Sequence, residues 1–303
     1  MVVETAQNTD GMKHHFVPRF LLRNWSVRGR FVSYYFEHAA DRVIENNKAT
    51  VASACQIADL NTFFGLTKSQ RDFPETTFFT PRVDTPAASA LDVILKKGIG
   101  ALTTKQRFDW ARLLVSFGVR TPETLQQMGP LEVTRAFDLV EAAAKGPVQD
   151  EQKITAHIQA NMERYKRNFP LNAAMELSAD PEKLTTVEAM TWWTRRWTRP
   201  AILIGNRPLL TSPRTRYPCG IPLDNPTCLI ALPIAPTTVF FASASRGTRN
   251  KMRTISLSRI GSIVNEETIW RSTCVFFPNT SLSSFVMPKV AGKANGTWQP
   301  RTK

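Results

Sequence analysis

The chain has 303 residues, 42% of them apolar and 21% charged, a balance that excludes a wholly disordered chain, a collagen and a long coiled coil. Its net charge is +14, from 39 Lys and Arg against 25 Asp and Glu, which points towards an anionic partner. No run of about 18 apolar residues predicts a membrane span, and residues 1–12 lack the basic start and apolar stretch of a secretory leader, so a cytoplasmic location is expected.

Residues 1–12 read as a disordered lead-in, with Asn8, Thr9, Asp10 and Gly11 as turn formers. In the stretch 14–24, Pro18 rules out an uninterrupted central strand or helix. Gly29 marks a turn before an aromatic strand over 30–37. A short helix is expected over 48–58 and a short strand over 61–66.

The middle of the chain is helical in pattern. The segment 84–97 has Pro86 near its start and Leu91, Ile94 and Leu95 at helical spacing. A strong helix over 104–120 gathers Phe108, Ala111, Leu114 and Val115 on one face, and Pro122 ends it. Further helices are expected over 122–144 and over 150–178, the latter broken at Pro170. The segment 185–199 carries the fullest set of helix signals, with Thr185 and Glu188 as a capping box, Val187, Met190, Trp193 and Trp197 at helical intervals, and Pro200 as a stop.

Beyond Pro200 the pattern changes to short apolar strands, expected over 201–204, 228–232, 238–242 and 253–257. A helix over 258–273, with Ile260, Ile263, Val264 and Thr268 on one side, and a last strand over 272–277 precede a disordered basic tail, 288–303. A helical middle between β-rich ends predicts one α+β domain over 13–287. Its helices would pack on a mixed or antiparallel sheet, a single one built from strands of both ends.

The charge is unevenly placed. Residues 199–303 hold 14 Lys and Arg against only Asp224, Glu266 and Glu267, so that nearly all of the excess lies in the last third. Clustered cations of this kind attract polyanions such as nucleic acid, either DNA or RNA, or an anionic membrane surface. Arg246, Arg249, Lys251 and Arg253 follow one another with no acid between them, and a run like this can track a phosphate backbone. Arg207, Arg214 and Arg216 make a second basic loop. On the expected helix 185–199, Arg195, Arg196 and Arg199 alternate with tryptophans, so guanidinium groups would meet phosphates while Trp193 and Trp197 stack on bases. The plain alternatives are a solvated charged loop and a tryptophan stripe facing the core.

Three of the four histidines lie near the start, at His14, His15 and His38, with Glu37 and Asp41 close by in sequence. Imidazole is a common metal ligand and general base near neutral pH. His14 or His15, together with His38 and Asp41, would suit a divalent cation that activates water. Successive residues of an extended chain face opposite ways, so one of His14 and His15 at most would join. The plain alternative is a structural histidine bonded to the backbone. The cysteines, at 55, 219, 228 and 274, have neither zinc nor redox spacing and read as buried thiols. No phosphate-binding glycine loop, nucleophile elbow or zinc-protease helix motif occurs.

The segment His14-His15-Phe16-Val17-Pro18-Arg19-Phe20-Leu21-Leu22-Arg23-Asn24-Trp25 resembles the opening signature of a bacterial family of unknown function, DUF4238. Later pieces resemble it too: Arg120-Thr121-Pro122, Gly205-Asn206-Arg207-Pro208, and Leu232-Pro233-Ile234-Ala235-Pro236 with Asn265 downstream. The resemblance spans about residues 13–278 and implies an outline of the fold, without an activity. Where the family tends towards Ser-Asp-Asn-Pro, this chain has Asn206 in place of the carboxylate. A metal or base role for that carboxylate would be impaired here.

Three readings follow. The first is a nucleic-acid-interacting protein that uses the basic last third, with a bacterial defence setting as the expected context. The second is a metal-dependent hydrolase, a nuclease in the first instance, with His14, His15 and His38 as ligands or base. The third is a protein-interaction module with structural histidines. No cofactor is required by the first, and a divalent metal belongs to the second.

Overall fold

The computed structural model describes residues 14–30, 32–37, 42–46, 50, 56–57, 72–121, 124–125, 128, 134, 156, 159, 162–198, 202, 204–205, 208–212, 221, 223, 225–244 and 275–277. The expected lead-in, the strands over 61–66 and 253–257, the helix over 258–273 and the basic tail lie outside them.

The chain opens with β1 (His14–His15), a single turn of helix α1 (Arg19–Leu22) and a 3-10 turn, Arg23–Trp25. Pro18 sits just ahead of α1, where its missing N–H costs nothing. Arg28 and Gly29 both have positive φ, 53° and 76°, and bring Val27 back to Arg30 in the tight turn expected at this glycine. Strands β2 (Val32–Glu37) and β3 (Arg42–Asn46) form a hairpin, and β4 (Gln56–Ile57) pairs with β1. The strand at Gln56–Ile57 replaces the last part of the short helix expected over 48–58. Tertiary pairing with β1 overrides local preference there.

A wide π-type helix, Pro74–Asp84, runs directly into α2 (Thr85–Lys97). Gly98, at φ 86°, closes α2. Next, α3 (Thr104–Phe117) is started by a capping box: the Gln106 amide donates to Thr103 Oγ1 at 3.2 Å, and the Thr103 amide donates to Gln106 Oε1 at 3.1 Å. The predicted single apolar face is an understatement. Trp110, Ala111, Leu113, Leu114, Val115 and Phe117 are all buried, so α3 is the central helix of the core. Positions 124, 125, 128 and 134 are helical, within the helix expected over 122–144.

Helix α4 (Met162–Ala179) continues through Pro170 instead of breaking there. An internal proline costs a helix about 3 kcal/mol, and the burial of Leu171, Ala173 and Ala174 directly after it offsets that. Helix α5 (Pro181–Ala189) follows at once. Its cap is Asp180, whose Oδ1 accepts from the amides of Glu182 and Lys183 at 3.0 and 3.3 Å, with Pro181 in the first helical position.

Here the expected helix over 185–199 is corrected. The helix ends at Ala189, and β5 (Thr191–Arg196) takes over. Trp193 and Trp197 are four residues apart, a spacing that fits one face of a helix but is also a multiple of two, the period of a strand. The burial decides: Trp192 joins the main core, whereas Trp193 and Trp197 pack on the opposite side of the sheet.

The remaining strands are β6 (Ile204–Gly205), β7 (Leu210–Ser212), β8 (Leu229–Ala235), β9 (Thr238–Ser243) and β10 (Val275–Phe277). Among the described residues, these strands with β2, β3 and β5 form two antiparallel four-stranded sheets beside the β1–β4 pair, in place of the single sheet expected. The first, in the order β3-β2-β10-β6, joins strands from both ends of the chain, as anticipated. The second, β5-β9-β8-β7, is built wholly from the C-terminal half. Both its faces are covered, Ile230, Leu232 and Phe240 by the core and Leu229, Ala231 and Phe241 by the cluster around Trp193, Trp197 and Ile202. That is why β8 reads as an unbroken apolar run. Pro233 is tolerated within it because β7 pairs only with Leu229–Ala231 and the ladder to β9 is irregular beyond Pro233. The architecture is α+β, with helices against antiparallel sheet, and no helix among the described residues is long and apolar enough to cross a membrane.

Two long-range bonds close the molecule. Asn24 Nδ2 donates to the Ile234 carbonyl at 2.7 Å, and the buried Trp25 Nε1 donates to the Ile202 carbonyl at 3.0 Å. Asn24→Ala leaves the carbonyl of the fully buried Ile234 unsatisfied and is expected to lower stability by about 1–3 kcal/mol. An unchanged denaturant midpoint would disprove this. Asp180→Ala is expected to cost about 1 kcal/mol as a lost cap. The hydrogen bond from Lys183 holds the Asp180 carboxyl below its ordinary value of 3.8. Its contribution is therefore fully present above that pH and is lost as acidification carries the solution below it, through the lowered value in the folded protein. Acid titration of the wild type and the Asp180→Ala protein, with unfolding followed at each pH, checks the sign.

Candidate functional site

The N-terminal segment owes its position to apolar anchors. Val17, Leu21, Leu22 and Trp25 are all at 1% exposure or less, buried against the helices and the second sheet. Between these anchors the polar atoms are fixed one by one. His15 is buried, and Arg19 Nε donates to its Nε2 at 3.1 Å. A guanidinium can only donate, so His15 accepts this bond through Nε2.

Arg120 follows the apolar end of α3 and turns inward. Its side chain is only 3% exposed and that of Asp84 14%, and Arg120 Nη1 meets Asp84 Oδ1 at 2.9 Å. Arg120 Nε donates to the Phe16 carbonyl at 3.2 Å. The guanidinium also lies 5.4 Å from the ring centre of Phe79 and 5.2 Å from that of Phe117. Nη2 is buried and has no hydrogen-bond partner among the described residues. This one cation therefore joins the N-terminal segment, the π-type helix and the end of α3.

Burial pushes the Asp84 carboxyl from 3.8 up to about 6, against the pull of the Arg120 charge and with a small push from Glu75. A carboxylate at that value titrates close to neutrality, the range in which buried acids serve either chemistry or switching. Nothing in local spacing announced this pair, because its members lie 36 positions apart. The usable signals were an arginine placed just after the apolar end of α3 and its place in the Arg120-Thr121-Pro122 piece.

The residues singled out in the sequence are placed unequally. His14 and His15 stand opposite Ile57 and Gln56 in the β1–β4 ladder. The His14 side chain, His38 and Asp41 lie outside the described residues, as do Arg199, Arg207, Arg246, Arg249, Lys251 and Arg253. Among the described residues, no three His, Cys, Asp or Glu side chains converge as metal ligands do. Cys228 is buried, in keeping with the thiol reading.

Arg195 and Arg196 fall on β5, not on a helix, and successive strand positions send them to opposite faces. Arg195 lies over Trp197, 5.4 Å from the ring centre, and the exposed Arg196 donates Nη2 to the Leu95 carbonyl at 2.8 Å. The tryptophans are engaged in packing: Trp193 stacks on Phe241 at 5.3 Å, and Trp192 Nε1 donates to the Val187 carbonyl. Arg107 is structural as well. It lies 3.8 Å over the Trp192 ring and donates to the carbonyls of Glu188 and Met190, closing the end of α5.

Arg120→Met strands a buried carboxylate and is expected to cost about 3–5 kcal/mol at pH 8. The cost is expected to shrink at pH 5, where Asp84 takes up a proton, because a carboxyl raised on folding favours the native state as pH falls. An equal loss at the two pH values would exclude an ionised Asp84 as the cause.

Comparison with curated proteins finds no match, and comparison with solved structures finds none. A family model does match, over residues 13–272, and covers both the N-terminal segment and the Arg120–Asp84 pair. The chain therefore belongs to the family described as "Protein of unknown function (DUF4238)".

Proposed function

We propose that this protein binds nucleic acid through its basic last third. The observation that carries the reading is the charge distribution, 14 Lys and Arg against three carboxylates over residues 199–303. Such an excess binds a phosphate backbone by releasing its condensed counterions, with little dependence on base sequence. Arg199, Arg207, Arg246, Arg249, Lys251 and Arg253 are the contacts in that third, and Arg195 and Arg196 lead into it along β5. The reading requires no cofactor. The packing of Trp193 against Phe241 argues for phosphate contact over base stacking as the main term.

The test is a salt titration of the affinity of full-length protein for labelled single-stranded and duplex oligonucleotides. Each neutralised phosphate of a duplex adds about 0.9 to the steepness of log affinity against log salt. A steep fall is expected, and Arg246→Gln with Arg249→Gln should make it shallower by about 1–2. Affinity that stays flat from low to moderate salt overturns the proposal.

A further inference from the structure

From Gly11 to Phe36 the sequence contains no Asp or Glu, yet it carries Lys13, Arg19, Arg23, Arg28 and Arg30. The four arginines are exposed, and the backbone that bears them is held from beneath. Arg19 and Arg23 are four positions apart on the run of α1 and the 3-10 turn, so they share one side of it. Leu21, Leu22 and Trp25 bury the other side. Ser26 bonds back to the Arg23 carbonyl through its amide at 3.1 Å and its hydroxyl at 2.9 Å. The chain then enters the turn Val27–Arg30, closed by backbone bonds of 2.8 and 3.1 Å.

Little opposes these charges. Arg19 is oriented by its bond to His15, and none of the four meets a carboxylate among the described residues. Arg28 stands out in its backbone as well. Its φ of 53° lies in the left-handed region that glycine and asparagine enter most readily, and no other described non-glycine residue has a positive φ. Its side chain is exposed and bonds to nothing among the described residues, so the fold gains nothing from an arginine at this tip.

We infer that Arg19, Arg23, Arg28 and Arg30 form a preformed phosphate-binding patch on which the backbone of a nucleic acid docks. The inference takes only the class of partner from the reading proposed above; the site is a separate one. Charge complementarity carries it, since the planar fork of a guanidinium matches two oxygens of a phosphodiester. A lipid surface fits less well. Val27, 51% exposed, is the only large apolar side chain standing out of this segment among the described residues, a small anchor for insertion. Because the patch sits on packed backbone, it binds without a cost for ordering a loop.

Arg23→Gln with Arg28→Asn in the full-length chain tests it. Asparagine suits a left-handed position better than arginine does, so the thermal midpoint is expected to hold or rise. Oligonucleotide affinity at moderate salt is expected to fall about tenfold, and the salt dependence to become shallower by about 1–2. Wild-type affinity and slope in this variant overturn the patch and leave the reading of the last third standing. Failure of the wild-type protein itself to bind overturns both. Affinity that falls here but is unmoved by Arg246→Gln with Arg249→Gln supports the patch and overturns the last third. Should the double variant unfold, Arg28→Asn alone is expected to give about half the change in slope, and no change would again overturn the patch. Capture by phosphatidylserine vesicles without oligonucleotide binding assigns these arginines to a membrane surface and overturns the inference.

Discussion

A guanidinium withdrawn from water needs partners, and Arg120 finds most of them in segments that are distant in sequence. The Phe16 carbonyl, the Asp84 carboxylate and the rings of Phe79 and Phe117 surround it. The arrangement cannot be dismantled piecemeal. Removing any one partner leaves charge in a medium of low polarity, which costs far more than a surface ion pair is worth. It follows that the N-terminal segment, the π-type helix and α3 keep one relative placement. The residual tension is visible in Asp84, which the arginine does not fully return to its ordinary acidity, and in Nη2, which has a proton to donate and no acceptor among the described residues.

Local signals served where the determinants are local. The spans of α2 and α3 were legible because an apolar repeat acts within a few residues. Strands β8 and β9 were legible from composition, and so was the joining of both chain ends in one sheet. The boundary at Met190 was not, since Trp193 and Trp197 satisfy two periodicities at once and only the sheet partners Phe240 and Phe241 choose between them. Pro170 misled in the opposite sense, because packing around Leu171 and Ala174 outweighs a local defect. The site was the least legible part. His15 and the arginines of the 195–199 segment were named from residue type alone, whereas Asp84 came to notice only through a neighbour brought in by folding.

Form and charge are divided along the chain. Apolar anchors dominate the N-terminal segment and the helical middle, where Arg107, Arg112 and Arg120 all donate to backbone carbonyls of other elements. Their charges hold elements in place. The cations of the C-terminal third have few carboxylates in their own sequence to meet.

The bonds from Asn24 and Trp25 span 210 and 177 positions of the chain. During synthesis the start of the protein leaves the ribosome long before Ile202 and Ile234 exist, so Leu21, Leu22 and Trp25 wait without their native cover. Loop closure of that length is slow, and exposed apolar groups invite association with other chains in the interval. The segment around Asn24 and Trp25 is therefore one that completes its packing late in folding.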